Sequence, residues 1–234
     1  MNQSEMTLYE MIFARRSVRQ YRNEAFDTSA LAEIENHANS AKQLPAQSAR
    51  FEIVDSSRIK GGVAPYAILA FAGADDLSLV NIGYTLQGVD LWLQANGHGS
   101  VWCGMATPKE QRSDYRILIG FGKTDVPLRK SESEFKRKKI ADISNADNPV
   151  SRAARLAPSA VNFQPWMLTF ADNKVTVQAN VRGVGKILPG RLYLFDFGIV
   201  LKHIELALEQ EGKAVKSLSF DGEAKGFTAK IIFG

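Results

Sequence analysis

The chain contains a single cysteine, Cys103, so it can form no internal disulfide and no all-cysteine metal centre, as suits a reducing compartment. Its three histidines, His37, His98 and His203, show no catalytic pattern and no metal-ligand spacing. His203, with Glu205 nearby, reads as a partly buried or solvated residue on a long helix. The longest apolar stretches carry Asp, Lys or Glu within 18 residues, which argues against a membrane span. Residues 1–9 lack the apolar core that a secretory leader places behind a basic stretch. Charge of one sign is also scarce: 29 Lys and Arg against 25 Asp and Glu leave +4, which admits an anionic ligand without demanding nucleic acid. Gly183, Gly185, Lys186 and Gly190 match neither a dinucleotide-binding nor a P-loop spacing and read as a loop. These absences predict a cytoplasmic protein with no metal, no nucleic-acid partner and no membrane.

The best nucleic-acid feature present is Lys136-Arg137-Lys138-Lys139. It is short, flanked by Glu132, Glu134 and Asp142, and not interleaved with aromatics, so a solvated face is the expectation. A hydrophobic content of 45% over 234 residues supports one large or two small domains.

The chain repeats itself. Residues 83–97 and 198–212 align at an offset of 115, pairing Gly83 with Gly198, Asp90 with Glu205 and Gly97 with Gly212. Residues 115–122 lie over 227–234 at an offset of 112, 15–21 over 129–135 at 114, and 41–49 over 158–166 at 117. Drift of a few residues is what small loop insertions allow. A duplication this long predicts two folded halves, 1–122 and 123–234, packed as one unit and not a solenoid.

Helices are expected over 6–15, 27–40, 77–96, 148–156 and 193–210. The third is apolar nearly all round and so is predicted to be a buried central helix stopped by Gly97. Strands are expected over 51–54, 67–73, 116–121, 167–171, 174–179, 215–220 and 227–233. Residues 122–139 read as a polar, charged link. Helices and short strands mix without regular alternation, which predicts an α+β fold.

Two segments carry chemistry. Arg15, Arg16, Ser17 and Arg19 gather three cations and a hydroxyl within five positions, a set suited to a phosphate because Arg offers forked donors. They would equally suit a solvated basic helix end. The string Pro158-Ser159-Ala160-Val161-Asn162-Phe163-Gln164-Pro165-Trp166 has small residues that let the backbone approach a flat ring, with amides to read its polar edge. An ordinary helix-to-strand loop would also accommodate it.

These two segments, with a long helix ending in glycine before Gly99-Ser100-Val101-Trp102-Cys103-Gly104, resemble the FMN-dependent nitroreductase family over essentially the whole chain. In typical members both motifs lie in one half-sized chain, and two chains share flavin sites at their interface. Here the intact motifs fall in different halves, so the resemblance is to a fused, pseudodimeric branch with mainly antiparallel sheets and one complete site. The mirror site would use Arg129-Lys130-Ser131 and Ala41-Lys42-Gln43 and is expected to be dead. By resemblance, Arg15, Arg16, Ser17 and Arg19 hold the FMN phosphate, with Arg129 or Lys130 as an addition. Pro158, Ser159, Ala160, Asn162 and Gln164 line the isoalloxazine, and Trp102, Cys103 and Gly104 approach its reactive edge. The resemblance implies hydride transfer from NADH or NADPH through FMN to a nitroaromatic, quinone-like or related acceptor. No catalytic side chain is required, because the flavin carries the chemistry. A fused chain is expected to act as a monomer. Cys103 as a nucleophile lacks a positioned base and reads as structural. The competing class is a flavin-binding or regulatory protein that has lost its acceptor pocket.

Overall fold

The computed structural model describes residues 6–181, 191–222 and 226–234. At its centre lie two long helices, α3 (Asp76–Ala95) and α5 (Leu192–Gln210), buried on almost every face. Their crossing is set by glycine. A Cβ on Gly83 would stand 2.1 Å from the Phe195 carbonyl oxygen, and one on Gly198 would stand 1.9 Å from that of Val80. Only residues without a side chain permit so close a backbone approach, and these two are the pair that the 115-residue offset relates.

Around this pair stand the shorter helices α1 (Leu8–Ile12), α2 (Thr28–Ser40) and α4 (Pro149–Leu156). Each starts on a side-chain cap of the kind the sequence advertises: Thr7 with Glu10, Asp27 to the Ala30 N–H, and Asn148 with Ser151 ahead of Pro149. Helix α1 ends sooner than the expected 6–15. The chain turns out of it at Phe13 to Arg15 and runs beside the first sheet, where the Val18 N–H donates to Ser100 O at 2.9 Å and the Arg22 N–H to Lys123 O at 2.9 Å.

The first sheet contains β1 (Arg50–Asp55), β3 (Tyr66–Phe71), β4 (His98–Trp102) and β6 (Tyr115–Lys123), in the order β1-β3-β6-β4. The second contains β7 (Trp166–Ala171), β8 (Lys174–Ala179), β9 (Val215–Asp221) and β10 (Thr228–Phe233), in the order β7-β8-β10-β9. Both are antiparallel throughout, and in both a long helix joins the second strand in sequence to the third. The two sheets therefore share one topology. The pair β2 (Ile59–Lys60) and β5 (Thr107–Pro108) forms a small separate ribbon. The larger of two apolar clusters takes in Met11 and Ile12 near one end of the chain and Phe233 near the other.

Two further features depart from the sequence expectations. Strand β4 forms despite Gly99 within it. Gly99 faces Gly122 across the ladder, and added Cβ atoms there would meet Val18 and Pro65 at 2.6 Å, so glycine is what lets the neighbouring segments lie on the sheet. The 122–139 link is also more than a spacer. Gly122 and Lys123 belong to β6, and Phe135 is buried, with the guanidinium carbons of Arg129 and Arg137 at 4.2 and 5.6 Å from its ring centroid. The glycine loop at 183–190 lies outside the described residues. Among the described residues no helix is long and apolar enough to cross a membrane.

Candidate active site

The two sequence segments meet at one cavity of about 440 Å³, within the range of small-molecule sites. Ser17 and Arg19, from the extended run after α1, line one part of it. Trp102 and Gly104, at the end of β4, line another, and Pro158, Ser159 and Ala160 a third. The rest of the lining is mostly apolar and comes from Met105, Ile117, Val161, Leu192, Phe195 and Ile199, with Asp196 among them. Residues from the two halves of the chain thus build one site.

The loop that follows α4 has unusual backbone. Val161, Asn162 and Gln164 have φ of 46°, 58° and 49°, and positive φ at a β-branched residue such as Val161 is strained. Neighbours hold it there. The Gln164 N–H donates to Ser159 Oγ at 2.9 Å, the Lys138 N–H donates to Gln164 Oε1 at 2.7 Å, and Gln164 Nε2 donates to Arg155 O at 2.8 Å. Arg137 bonds to Asn162 Oδ1, and the Ala160 N–H donates to Asp196 Oδ1 at 2.9 Å. Gln164 is buried and Asn162 exposed. Neither lines the cavity; both serve to fix the loop's shape.

Beside the loop is a crowd of guanidinium groups. Arg15 is 1% exposed and its Nε lies 2.9 Å from Asp90 Oδ2. Arg129 bonds to Arg15 O. Arg16 pairs with Glu134 at 3.1 Å and Arg155 with Glu132 at 2.8 Å. Burial, and then the charges of Arg15, Arg129 and Arg155, push Arg137 down to about 10; burial, and then Arg15 and Arg16, lower Arg129 as well. Arg15 Nη2 and the Nε atoms of Arg16, Arg137 and Arg155 are buried without a hydrogen-bond partner among the described residues. Orphaned cationic donors packed among like charges favour an anion. Arg15 and Arg16 belong to this cluster and not to the cavity wall.

The wall is braced from below. Asp90 Oδ1 accepts from Ser100 Oγ at 2.6 Å, and Gln94 Oε1 accepts the Arg16 N–H at 2.9 Å. Trp102 Nε1 donates to Gln87 Oε1 at 3.2 Å. Gln87 Nε2 lies 3.1 Å from His203 Nε2, and His203 Nδ1 lies 2.9 Å from Ala153 O. A carbonyl only accepts, so Nδ1 carries the proton and Nε2 accepts from Gln87. His203 is fully buried and neutral, its pKa pushed down to about 3 chiefly by burial. The expectation of a partly buried or solvated His203 is thereby corrected. Cys103 is half-buried outside the cavity lining, and burial raises its pKa, which disfavours the thiolate.

The site also uses residues that the motifs do not mark. Asp196 and Phe195 come from α5, where the one sequence signal is a carboxylate set in an otherwise apolar stretch. Arg137 comes from the supposed link.

Two four-stranded antiparallel sheets on a pair of central helices, with a cavity between the halves, define a nitroreductase-like α+β fold. The chain belongs to the family described as Putative TM nitroreductase, whose profile matches residues 7–208, and so to a family of oxidoreductases. Among solved structures it is similar to a protein from Thermotoga maritima described as a putative nitroreductase, with 23% identity over 97% of this chain and 94% of that one and a TM-score of 0.72. A Desulfovibrio desulfuricans protein, described as a putative nitroreductase in complex with FMN, is 18% identical over 62% of this chain and 98% of its own, with a TM-score of 0.45. An FMN-dependent nitroreductase from Clostridium difficile is 20% identical over 52% and 91%, with a TM-score of 0.42. No curated protein matches the chain.

Proposed function

We propose that this chain is an FMN-dependent NAD(P)H oxidoreductase acting on small electrophilic acceptors of the nitroaromatic or quinone-like kind. The observation that carries the reading is an apolar cavity beside a cluster of unpartnered arginine donors, both of them including residues of the segments that resemble nitroreductase motifs. The residues fit a flat ring with an anionic tail. Trp102, Pro158, Ala160, Phe195 and Ile199 would cover the ring and keep water from it. Ser17 and Arg19, backed by the charges of Arg15, Arg16 and Arg129, would hold the phosphate. When bound, FMN would supply two-electron transfer between a nicotinamide donor and the acceptor. Gly104 and the exposed Met105 and Val161 leave an open, apolar rim for the second substrate.

We further read the chain as two fused repeats, 1–122 and 123–234, acting as one monomeric unit with one live site. The equivalent of the Arg15–Asp90 pair is filled by side chains: Glu205 takes Lys42 at 2.6 Å, Lys202 at 2.7 Å and the Tyr84 hydroxyl at 2.6 Å. The deciding experiment is the absorbance spectrum of the purified chain, with released flavin identified and counted. One FMN per chain and steady NADH or NADPH consumption with an added acceptor are expected. Two FMN per chain would remove the single-site reading, and bound flavin without turnover would leave a binding protein. A chain that stays colourless with added FMN would overturn the function altogether.

A further inference from the structure

Asp196 sits on α5, two residues before the Gly198 crossing, and is 4% exposed. Its Oδ1 accepts the Ala160 N–H at 2.9 Å, whereas Oδ2, also buried, has no partner among the described residues. The residue lines the cavity. Its counterpart at the 115-residue offset is Asn81. There Oδ1 accepts the Leu44 N–H at 2.8 Å, and Nδ2 donates to Gln43 Oε1 at 2.8 Å. At both positions one oxygen grips the backbone of a loop. The second atom is a satisfied donor at Asn81 and an orphan at Asp196.

Burial raises the Asp196 carboxyl to about 8, against the lowering effect of the Ala160 N–H. At neutral pH the residue therefore keeps its proton and matches Asn81 in presenting one acceptor and one donor. Charged groups on the surrounding elements have their own partners. Asp76 and Asp90 of α3 pair with Arg191 and Arg15, Arg152 and Arg155 of α4 with Asp147 and Glu132, and Lys202 of α5 with Glu205. Glu10 of α1 bonds to Thr7, burial raises Tyr9, and His203 is neutral. Arg19 is the other ionisable residue lining the cavity among the described residues.

We propose that Asp196 contacts the cofactor: its Oδ2–H donates a hydrogen bond to a carbonyl oxygen or ring nitrogen of the flavin ring, while Oδ1 keeps its hold on Ala160. This rests on the flavin reading above. Ionisation removes the donor and sets a carboxylate against an acceptor atom, so binding and loss of the proton oppose each other.

The test is titration of FMN into the full chain between pH 7 and 9, above the second phosphate ionisation, followed by flavin fluorescence. For the natural chain the dissociation constant should rise about tenfold across this interval, as expected when only the protonated form binds. Asp196→Asn retains both donor and acceptor; it should bind within about threefold of the natural chain at pH 7 and show no rise to pH 9. Identical pH profiles for the two proteins overturn the proposal and leave Asp196 as a holder of the loop. Failure of the natural chain to bind FMN at any pH overturns the flavin reading itself. Should the Asn variant not fold, infrared difference spectra of the natural chain decide: FMN must shift a protonated carboxyl band at pH 7, and an unmoved band overturns the proposal.

Discussion

At the scale of single residues, the protein buries titratable groups whose effects on stability run in opposite directions. Asp90 lies beneath the site with Arg15 as its cation. Replacing Arg15 with Met should therefore strand a buried carboxylate and cost about 3–5 kcal/mol, read from the urea midpoint. His203, held neutral with a pKa of about 3, binds fewer protons in the folded chain than in the unfolded one, so below about pH 6.5 its contribution to stability falls as pH falls. Asp196, raised to about 8, binds more protons folded than unfolded, so its contribution falls as pH rises from about 4 to 8. The two slopes oppose each other up to about pH 6.5, where His203 drops out. Between pH 6.5 and 8 the natural chain should lose about 1 kcal/mol in urea denaturation, and Asp196→Asn should show no such loss. None of this is legible in the sequence. A lone carboxylate or histidine in a helix pattern reads as solvated until the neighbouring elements enclose it. The motif residues were legible, but the side chains of buried Gln164 and exposed Asn162 bond to the neighbouring backbone at Arg155 and Lys136, which the motif does not announce.

At the scale of elements, caps and apolar runs located the five helices and most strands to within a few residues, because those signals are local. Strand β4 was hidden because its Gly99 answers to Val18 and Thr124 packing on it, a demand from distant sequence. The α3–α5 crossing gives the clearest test. Gly83→Ala or Gly198→Ala drives a Cβ into a carbonyl of the opposite helix, and soluble folded protein should be lost, at a cost above about 4 kcal/mol. Gly88→Ala, on the same helix, finds its nearest such neighbour at 3.7 Å, the flexible Lys202 side chain. It should raise the melting temperature, since alanine favours a helix over glycine by about 1 kcal/mol.

At the scale of the whole molecule, the spacing of like residues in the sequence finds a counterpart in two sheets of equal strand order. What spacing could not give was the cavity itself, which exists only where the halves meet. Because α3 and α5 are buried mainly against each other, neither half should fold alone. Residues 1–122 or 123–234 expressed separately should lack a cooperative melt by circular dichroism, and co-expression should restore one. Covalent linkage of the halves also changes what inheritance can do. In a symmetric pair of identical chains, each substitution is copied to both sides, and a site can be abandoned only if its twin goes too. On the proposed fused-repeat reading, the halves of one chain vary independently except where they touch, as at Gly83 and Gly198, where neither position admits a side chain. Lineages carrying this arrangement should thus be free to lose a second site while the contacts that join the halves, Gly83 against Gly198 among them, stay fixed.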